Sequence, residues 1–210
     1  DRKITGIEGV NEETAEPFSI KAGVVVVASG GINGNLEKVR QHWPDTWGKA
    51  PAKLLNGSHR YADGTLHTAA EQVGASVTHL DWQWNYAAGI HHPEPRLPEH
   101  GLSLIPPRSA LWMDARGRRV GPHPLITGFD THGLCQRISH LPHGYTWQVM
   151  NRKIAHKEIS ISGSEHNTAF KYRRPVKFLK EILLGNDNLY DYLVNQCLDV
   201  ITADSLEELG

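Results

Sequence analysis

Residues 24–35 read VVVVASGGINGN, four valines followed by a stretch of small residues with three glycines. An apolar run of β-branched residues without polar alternation is typical of a strand covered on both faces, as in a parallel sheet. Glycine permits positive φ and close approach of a ligand, and a helix after such a turn points N–H groups at an anion. The stretch therefore predicts a buried strand, a permissive turn and a helix over residues 35–43.

A turn that only packs tightly and binds nothing is the alternative for the glycine stretch. The pattern SGGINGN is not G-x-G-x-x-G, so it is not the primary dinucleotide-binding fingerprint. The local sequence alone leaves both interpretations open.

The bulk composition excludes several classes of protein. The 210 residues carry 22 Lys and Arg against 23 Asp and Glu, and the net charge of -1 argues against a nucleic-acid or membrane surface carried by overall charge. Two cysteines make no disulfide framework, which favours a reducing, cytoplasmic setting. No apolar run approaches the roughly 20 residues of a membrane span. We expect a small-molecule substrate as partner, no nucleic acid and no membrane, and homo-oligomerisation is left open.

The segments around this stretch predict a mixture of short helices and strands. Asp63 can cap a helix at residues 63–75, because Leu66, Ala69, Ala70 and Val73 then share one apolar face. Predicted strands are 3–10, 18–29, 76–86, 145–151 and 199–203; predicted helices are 35–43, 63–75, 127–141, 176–185 and 189–198; a hairpin is predicted at 110–120 and an irregular loop at 87–108.

The two ends of the chain suggest a larger protein. Ser205 with Glu208 three residues later forms a capping-box pattern, which predicts the start of a helix at the last residues. The predicted valine strand needs a neighbour on each side, and the sequence offers no obvious candidates. We therefore expect this chain to be an internal portion of a longer protein.

A second stretch, ADGTLHTAAEQVGA at residues 62–75, favours the interpretation that the glycine turn binds a ligand. Together the two stretches resemble the flavoprotein family of succinate dehydrogenase, fumarate reductase and 3-ketosteroid dehydrogenase. In that family a strand ends in Ala-Thr-Gly-Gly and a later Gly-Asp-Gly opens a helix that ends in Gly-Ala. Ser29 replaces the Thr and Ala62 the first Gly. The resemblance covers most of residues 20–152 and is closest to a bacterial branch of FAD-binding dehydrogenases.

The resemblance implies an α/β architecture in two parts. Residues 1–80 would form the end portion of a Rossmann-like FAD-binding domain, and residues 81–210 a mixed α+β substrate cap domain. The family's own N-terminal G-x-G-x-x-G is absent from this sequence. We therefore expect the chain to hold FAD poorly, and to be inactive, by itself.

The resemblance also implies which residues meet the cofactor. Ala28, Ser29, Gly30 and Gly31 would lie against FAD, mostly through their backbone. Asp63 would combine the helix cap with a position near the cofactor, although capping alone also explains it.

Tyr86 stands where the fumarate reductases of this family have a histidine that binds a substrate carboxylate. A phenol can donate a hydrogen bond or move a proton, but it offers no cationic grip. Leu125 and Phe129 fall where the same branch has a Glu and an Arg that relay protons. The resemblance therefore favours an apolar carbonyl or steroid-like substrate, with Tyr86 as candidate catalytic acid. Ordinary core packing of Tyr86 with Trp82 and Trp84 is the alternative.

The predicted function is that of a flavin-dependent oxidoreductase, transferring hydride between such a substrate and FAD. The competing hypothesis is a histidine-rich metal-binding module, because His132, Cys135, His140 and His143 lie close in sequence. Their spacing matches no familiar metal site, so we predict no metal ligand. A third interpretation is a cap that only binds partners through the basic segment 171–181.

Overall fold

Short helices and three small antiparallel sheets make up the part of the chain that the structure describes. The computed structural model describes residues 3–120, 130–163 and 166–209. The elements are β1 (Gly6–Val10), β2 (Pro17–Lys21), α1 (Leu36–Gln41), α2 (Thr65–Gln72), β3 (Gly89–His91), β4 (Gly101–Ile105), β5 (Leu111–Asp114), α3 (Thr131–Ser139), β6 (Thr146–Val149), α4 (Arg152–Glu158), β7 (Ser160–Ile161), α5 (Thr168–Lys171), α6 (Pro175–Leu184), α7 (Asp187–Gln196) and α8 (Leu206–Leu209). The fold class is α+β, and none of the helices within these ranges is long and apolar enough to cross a membrane.

The first core joins the sheet β3-β4-β7 to helix α7. Ile90 pairs with Leu102, and Leu104 pairs with Ile161, in antiparallel register. Asn186 caps α7 by accepting from the Leu189 N–H, and Leu189 and Leu193, four residues apart, share one face of the helix. Both leucines are buried in one cluster with Ile90, Leu102 and Ile161.

The second core joins a hairpin to helix α3. β5 turns back through Gly117, whose φ is +74°, and β5 also pairs with β6. The Asp114 carboxylate holds the turn by accepting from the Arg116 and Arg118 N–H groups at 2.8 and 2.9 Å. The predicted hairpin and the predicted strand at 145–151 are therefore confirmed. Trp112, Val120, Leu134 and Ile138 pack together in this core.

The valine run does not form the predicted buried strand. Residues 24–27 belong to no strand, and the side chains of Val24 and Val26 are 80% and 81% exposed. The hairpin β1–β2 ends at Lys21 and is two-stranded. No other strand of the described residues lies beside the valines, so their backbone cannot enter a ladder. The prediction of a parallel-type strand at this position is wrong.

Three further predictions fail in the middle and at the end of the chain. The predicted strands at 76–86 and 199–203 are irregular, and the predicted loop at 87–108 contains β3 and β4. Most prolines of that loop lie between β3 and β4, where they break no ladder. The apolar segment GLSLI, which forms β4, can therefore pair with one strand on each side.

The predicted helices are largely confirmed. The observed ends differ from the predicted ones by at most three residues for four helices: α1, α2, α6 and α7. The first part of the predicted helix 127–141 lies outside the described residues. Ser205 Oγ accepts from the Glu208 N–H at 3.2 Å, and Glu208 reaches back to the Asp204 N–H at 3.0 Å. The predicted capping box is thus formed, except that Glu208 accepts from the N–H of Asp204 and not from that of Ser205.

Candidate functional site

A broad concavity of about 2270 Å³ brings the two predicted functional segments to one surface. Gly30, Gly31 and Asn33 line it from the glycine turn, and Trp84, Asn85 and Tyr86 line it from the aromatic segment. Its volume exceeds the roughly 300–1,000 Å³ typical of a site for one small ligand. It is therefore larger than a site for one small ligand.

Close backbone packing joins the glycine turn to the second motif. The Gly34 N–H donates to the Ala62 carbonyl at 2.8 Å. A Cβ on Gly34 would lie 2.5 Å from the His59 carbonyl oxygen, so no larger residue fits. Gly30 has a φ of +85°, a conformation that favours glycine. The two stretches that carry the family resemblance are therefore in direct contact.

Gly31 is the open position of the turn. A Cβ built on it would meet nothing nearer than Asn33 Oδ1 at 3.9 Å. The backbone at Gly31 is therefore open to close approach by a ligand. Ala28 and Ser29, by contrast, do not line the concavity.

The start of α1 offers less to an anion than the sequence suggests. Asn35 caps this six-residue helix, and its Oδ1 accepts from the Glu37 and Lys38 N–H groups, both at 3.1 Å. These two donors point at their own cap, so they are not available to a ligand, and anion binding at this helix start stays a prediction.

Asp63 lies just before α2 rather than at its cap position. Gly64 occupies the cap with a φ of +80°, while Asp63 Oδ1 accepts from the Thr65 N–H at 2.9 Å. That bond lowers the pKa of Asp63 below its ordinary value. Asp63 is not among the described residues that line the concavity. Its structural role is clear, and its role toward a cofactor stays a prediction.

A chain of side-chain amides ties the aromatic segment to the turn and to α1. Asn33 Nδ2 donates to the Trp84 carbonyl and to Asn85 Oδ1, both at 3.3 Å. Asn85 Nδ2 donates to Gln83 Oε1 at 3.0 Å. Gln83 Nε2 donates to the carbonyls of Val39 and His42 at 3.0 and 2.8 Å. These bonds replace the strand ladder that the sequence predicted for this segment.

Sequence reasoning missed this amide chain and its support from α3. The signal was present in WQWNY, where amide residues alternate with aromatic ones. Cys135 Sγ donates to the Asn85 carbonyl at 3.3 Å. Burial raises the pKa of the Cys135 thiol to about 12, so the side chain acts as a neutral donor.

Tyr86 presents its hydroxyl to Ser162, just after β7. The two oxygens lie 2.8 Å apart, and Tyr86 is 37% exposed on the concavity. No local pattern pointed to Ser162, which is 76 residues away in sequence. Trp82 and Trp84 are both largely exposed, so the alternative that they form ordinary core packing is wrong.

The histidine cluster of the sequence is dispersed in space. The His132 ring packs edge-on against Trp47 at 5.0 Å between ring centres, and His140 Nδ1 bonds to the Gln136 carbonyl at 2.7 Å. Cys135 Sγ donates a hydrogen bond to the Asn85 carbonyl. Within the described ranges no three His, Cys, Asp or Glu side chains are arranged to hold a metal ion. The metal-module hypothesis therefore finds no support.

Known proteins similar to this chain are dehydrogenases and a reductase. The chain is 39% identical, over 98% of its length, to a KsdD-like steroid dehydrogenase of Mycobacterium tuberculosis, and covers 39% of that relative. It is 38% identical over 91% of its length to a KsdD-like steroid dehydrogenase of Mycolicibacterium smegmatis, covering 35% of it.

A more distant similarity links the chain to a urocanate reductase of Eggerthella lenta. The two are 28% identical over 83 residues, which cover 40% of this chain and 13% of that relative. The chain thus spans well under half the length of each of these curated relatives. No family model matches the chain. No solved structure matches it either.

Proposed function

We propose that this chain is part of a flavin-dependent dehydrogenase that moves hydride between FAD and an apolar carbonyl or steroid-like substrate. Its similarity to proteins named KsdD-like steroid dehydrogenase supports the reaction class. The observation that carries the proposal is the single concavity lined by both the Gly30–Gly31 turn and Tyr86.

In this proposal residues 1–80 belong to a Rossmann-like FAD-binding domain and residues 81–210 to a substrate cap. The backbone of residues 28–31 would hold FAD, with Asp63 supporting the adjacent motif. The open face of Gly31 supports this assignment, because nothing but Asn33 lies within 4 Å of a Cβ there. When bound, the flavin supplies the hydride chemistry, which no side chain can provide.

Tyr86 would handle the proton that accompanies hydride transfer. Its hydroxyl would donate a proton to the oxygen of the substrate carbonyl as the carbonyl carbon receives hydride. In the reverse direction its conjugate base would take the proton of the corresponding alcohol as hydride leaves. Ser162 can act as donor or acceptor toward the same hydroxyl, and at 2.8 Å it holds the phenol at the concavity wall. A phenol offers no cationic grip for a dicarboxylate, and the exposed Trp84 on the same concavity favours an apolar substrate.

Replacing Tyr86 with Phe in the complete enzyme tests this role. We expect turnover to fall about a hundredfold or more, because a positioned general acid contributes roughly 10²–10⁴ in rate. FAD affinity should be unchanged. Tyr172→Phe is the matched control, since Tyr172 is exposed and lies outside the lining of the concavity. Unchanged turnover in Y86F would end the proposed role of Tyr86.

A second variant tests the cofactor turn separately. Gly31→Val adds a side chain where the structure has open space, so the complete enzyme carrying it should fold while its FAD binding weakens at least tenfold. Flavin fluorescence quenching measures the affinity, and circular dichroism checks the fold. An FAD affinity equal to that of the unaltered protein would remove Gly31 from the cofactor site, whatever the outcome at Tyr86.

A further inference from the structure

Helix α6 is amphipathic, but its apolar side faces solvent. Val176, Leu179 and Leu183 are 83%, 57% and 61% exposed, whereas the Glu181 side chain is only 16% exposed. At 100° per residue these three side chains lie within about 60° of one another. Phe178, Ile182 and Leu184 are exposed as well and widen the apolar side of the helix. An ordinary surface helix turns such an arc toward the core.

The inward side of α6 is polar. Lys177 Nζ lies 3.6 Å from Glu181 Oε1 and donates to Thr168 Oγ1 of α5 at 3.4 Å. The ion pair lies within α6, whereas the bond to Thr168 joins this side of the helix to α5. The exposed apolar arc lies away from that contact.

Aromatic side chains extend the apolar surface onto α5. Phe170 is exposed, and its ring centre lies 6.1 Å from that of Phe178. Tyr172 is exposed beside them. We call this surface the α5–α6 face and define it by six residues: Phe170, Tyr172, Val176, Phe178, Leu179 and Leu183.

Cations surround the α5–α6 face. Lys171, Arg173, Arg174 and Lys180 are all exposed, and no carboxylate of the described residues forms an ion pair with them. Lys171 and Arg174 sit near the Tyr172 ring, at 5.6 and 5.8 Å from its centre. The overall charge of -1 therefore hides a strongly basic local patch.

We propose that the α5–α6 face lies on the surface of an anionic lipid bilayer. A helix with exposed Leu and Phe on one side and Lys and Arg around it binds in the interface plane, with its apolar side chains among the acyl chains. Ten residues give α6 a length of about 15 Å, so it lies on the bilayer and does not span it. Tyrosine is enriched at this depth because one end is apolar and the other wet.

Charge decides between lipid and a second copy of the chain. A two-fold contact through this face would bring the same four cations of each copy together, because such interfaces pair identical patches. Repulsion opposes that contact, whereas the negative surface of phosphatidylglycerol or phosphatidylserine attracts each cation. This inference rests on α5 and α6 alone and does not depend on the proposed dehydrogenase activity.

Vesicle flotation tests the inference directly. The purified protein should bind vesicles of three parts phosphatidylcholine to one part phosphatidylglycerol, should bind pure phosphatidylcholine at least tenfold more weakly, and should be released by about 1 M salt. L179E/L183E should lose at least tenfold in affinity for the anionic vesicles. R173Q/R174Q/K180Q should lose about fivefold per cation removed.

V24E/V26E is the matched control, because it places two carboxylates on apolar residues that are even more exposed and lie far along the chain from α6. The control should keep the affinity of the unaltered protein, with all variants folded by circular dichroism. The inference is overturned if the protein binds neither vesicle or binds both equally, or if V24E/V26E loses as much as L179E/L183E. It is also overturned if light scattering shows a dimer that L179E/L183E dissociates.

Discussion

Two apolar segments of this chain take opposite places in the structure. Residues 24–27, VVVV, have the stronger strand pattern, yet they are exposed and unpaired. β4, GLSLI, is flanked by proline-rich sequence, yet it is the central strand of the first core. The difference teaches that strand propensity reports how well a segment would fit a sheet, and neighbours decide whether it enters one.

The neighbours of β4 can be named. β3 pairs with one edge, β7 with the other, and α7 supplies Leu189 and Leu193 to the same cluster. Each contact removes apolar surface from water at roughly 25 cal/mol per Å². Val24 and Val26 gain almost none of this from the described residues, and Val25 and Val27 only part of it, so too little offsets the entropy of ordering the valines in a ladder.

The sharpest test of this contrast is a pair of alanine substitutions. Leu193 is 2% exposed, and L193A should lower the free energy of unfolding by about 2–5 kcal/mol, because it removes buried methyl groups and leaves a cavity. V26A should change it by less than about 0.5 kcal/mol. Urea unfolding followed by circular dichroism measures both. Equal losses would show that the valine run is buried in solution.

The reactivity of the Cys135 thiol tests whether α3 stays packed over Asn85. Burial raises its pKa from 9.0 to about 12, so the thiolate that reacts with iodoacetamide is about a thousandfold scarcer than in an unperturbed thiol. At pH 8 the native protein should label at Cys135 about a thousandfold more slowly than the urea-unfolded protein, as followed by mass spectrometry. Rapid labelling of the native thiol would mean that α3 does not cover Asn85.

Two glycines of the turn differ in how closely they are packed: Gly34 is tightly packed, whereas Gly31 is open. G34A should lower stability by about 1–3 kcal/mol, because its Cβ would overlap the His59 carbonyl oxygen. G31A meets no atom within 3.9 Å and should be nearly neutral. Thermal unfolding compares the two variants. Equal effects would contradict the packing of the turn against the ADG motif.

The smallest expected effect is an acid-side loss of stability at the β5 hairpin. Hydrogen bonds from Arg118 and Arg116 lower the pKa of Asp114. The unfolded chain therefore binds more protons than the folded one near pH 4. The stabilisation is present above the unfolded value of about 3.9 and is lost as pH falls through the folded pKa. D114N should flatten the decline of Tm between pH 5 and 3; an unchanged decline would contradict the assignment.

Local signals predicted the elements whose stability is local. α2, α6, α7, the hairpin at Gly117 and the capping box at Ser205 all depend on bonds between residues a few positions apart. β3, β4 and the amide chain from Asn33 to Gln83 were missed for the opposite reason. Apart from the Asn85–Gln83 bond, their bonds join residues ten or more positions apart. The alternation in WQWNY marks the amide side chains but does not identify their distant partners.

The sequence by itself determined the short-range structure and the resemblance to flavoprotein dehydrogenases, because turn glycines, caps and helix faces act within a few residues. Only the tertiary structure decided which apolar segments are buried. It also decided that Gly30, Gly31 and Tyr86 line one concavity, that Ser162 holds the Tyr86 hydroxyl, and that α6 turns its leucines outward. The physical reason is the same throughout: burial and convergence are properties of neighbours, and the neighbours come from distant parts of the chain.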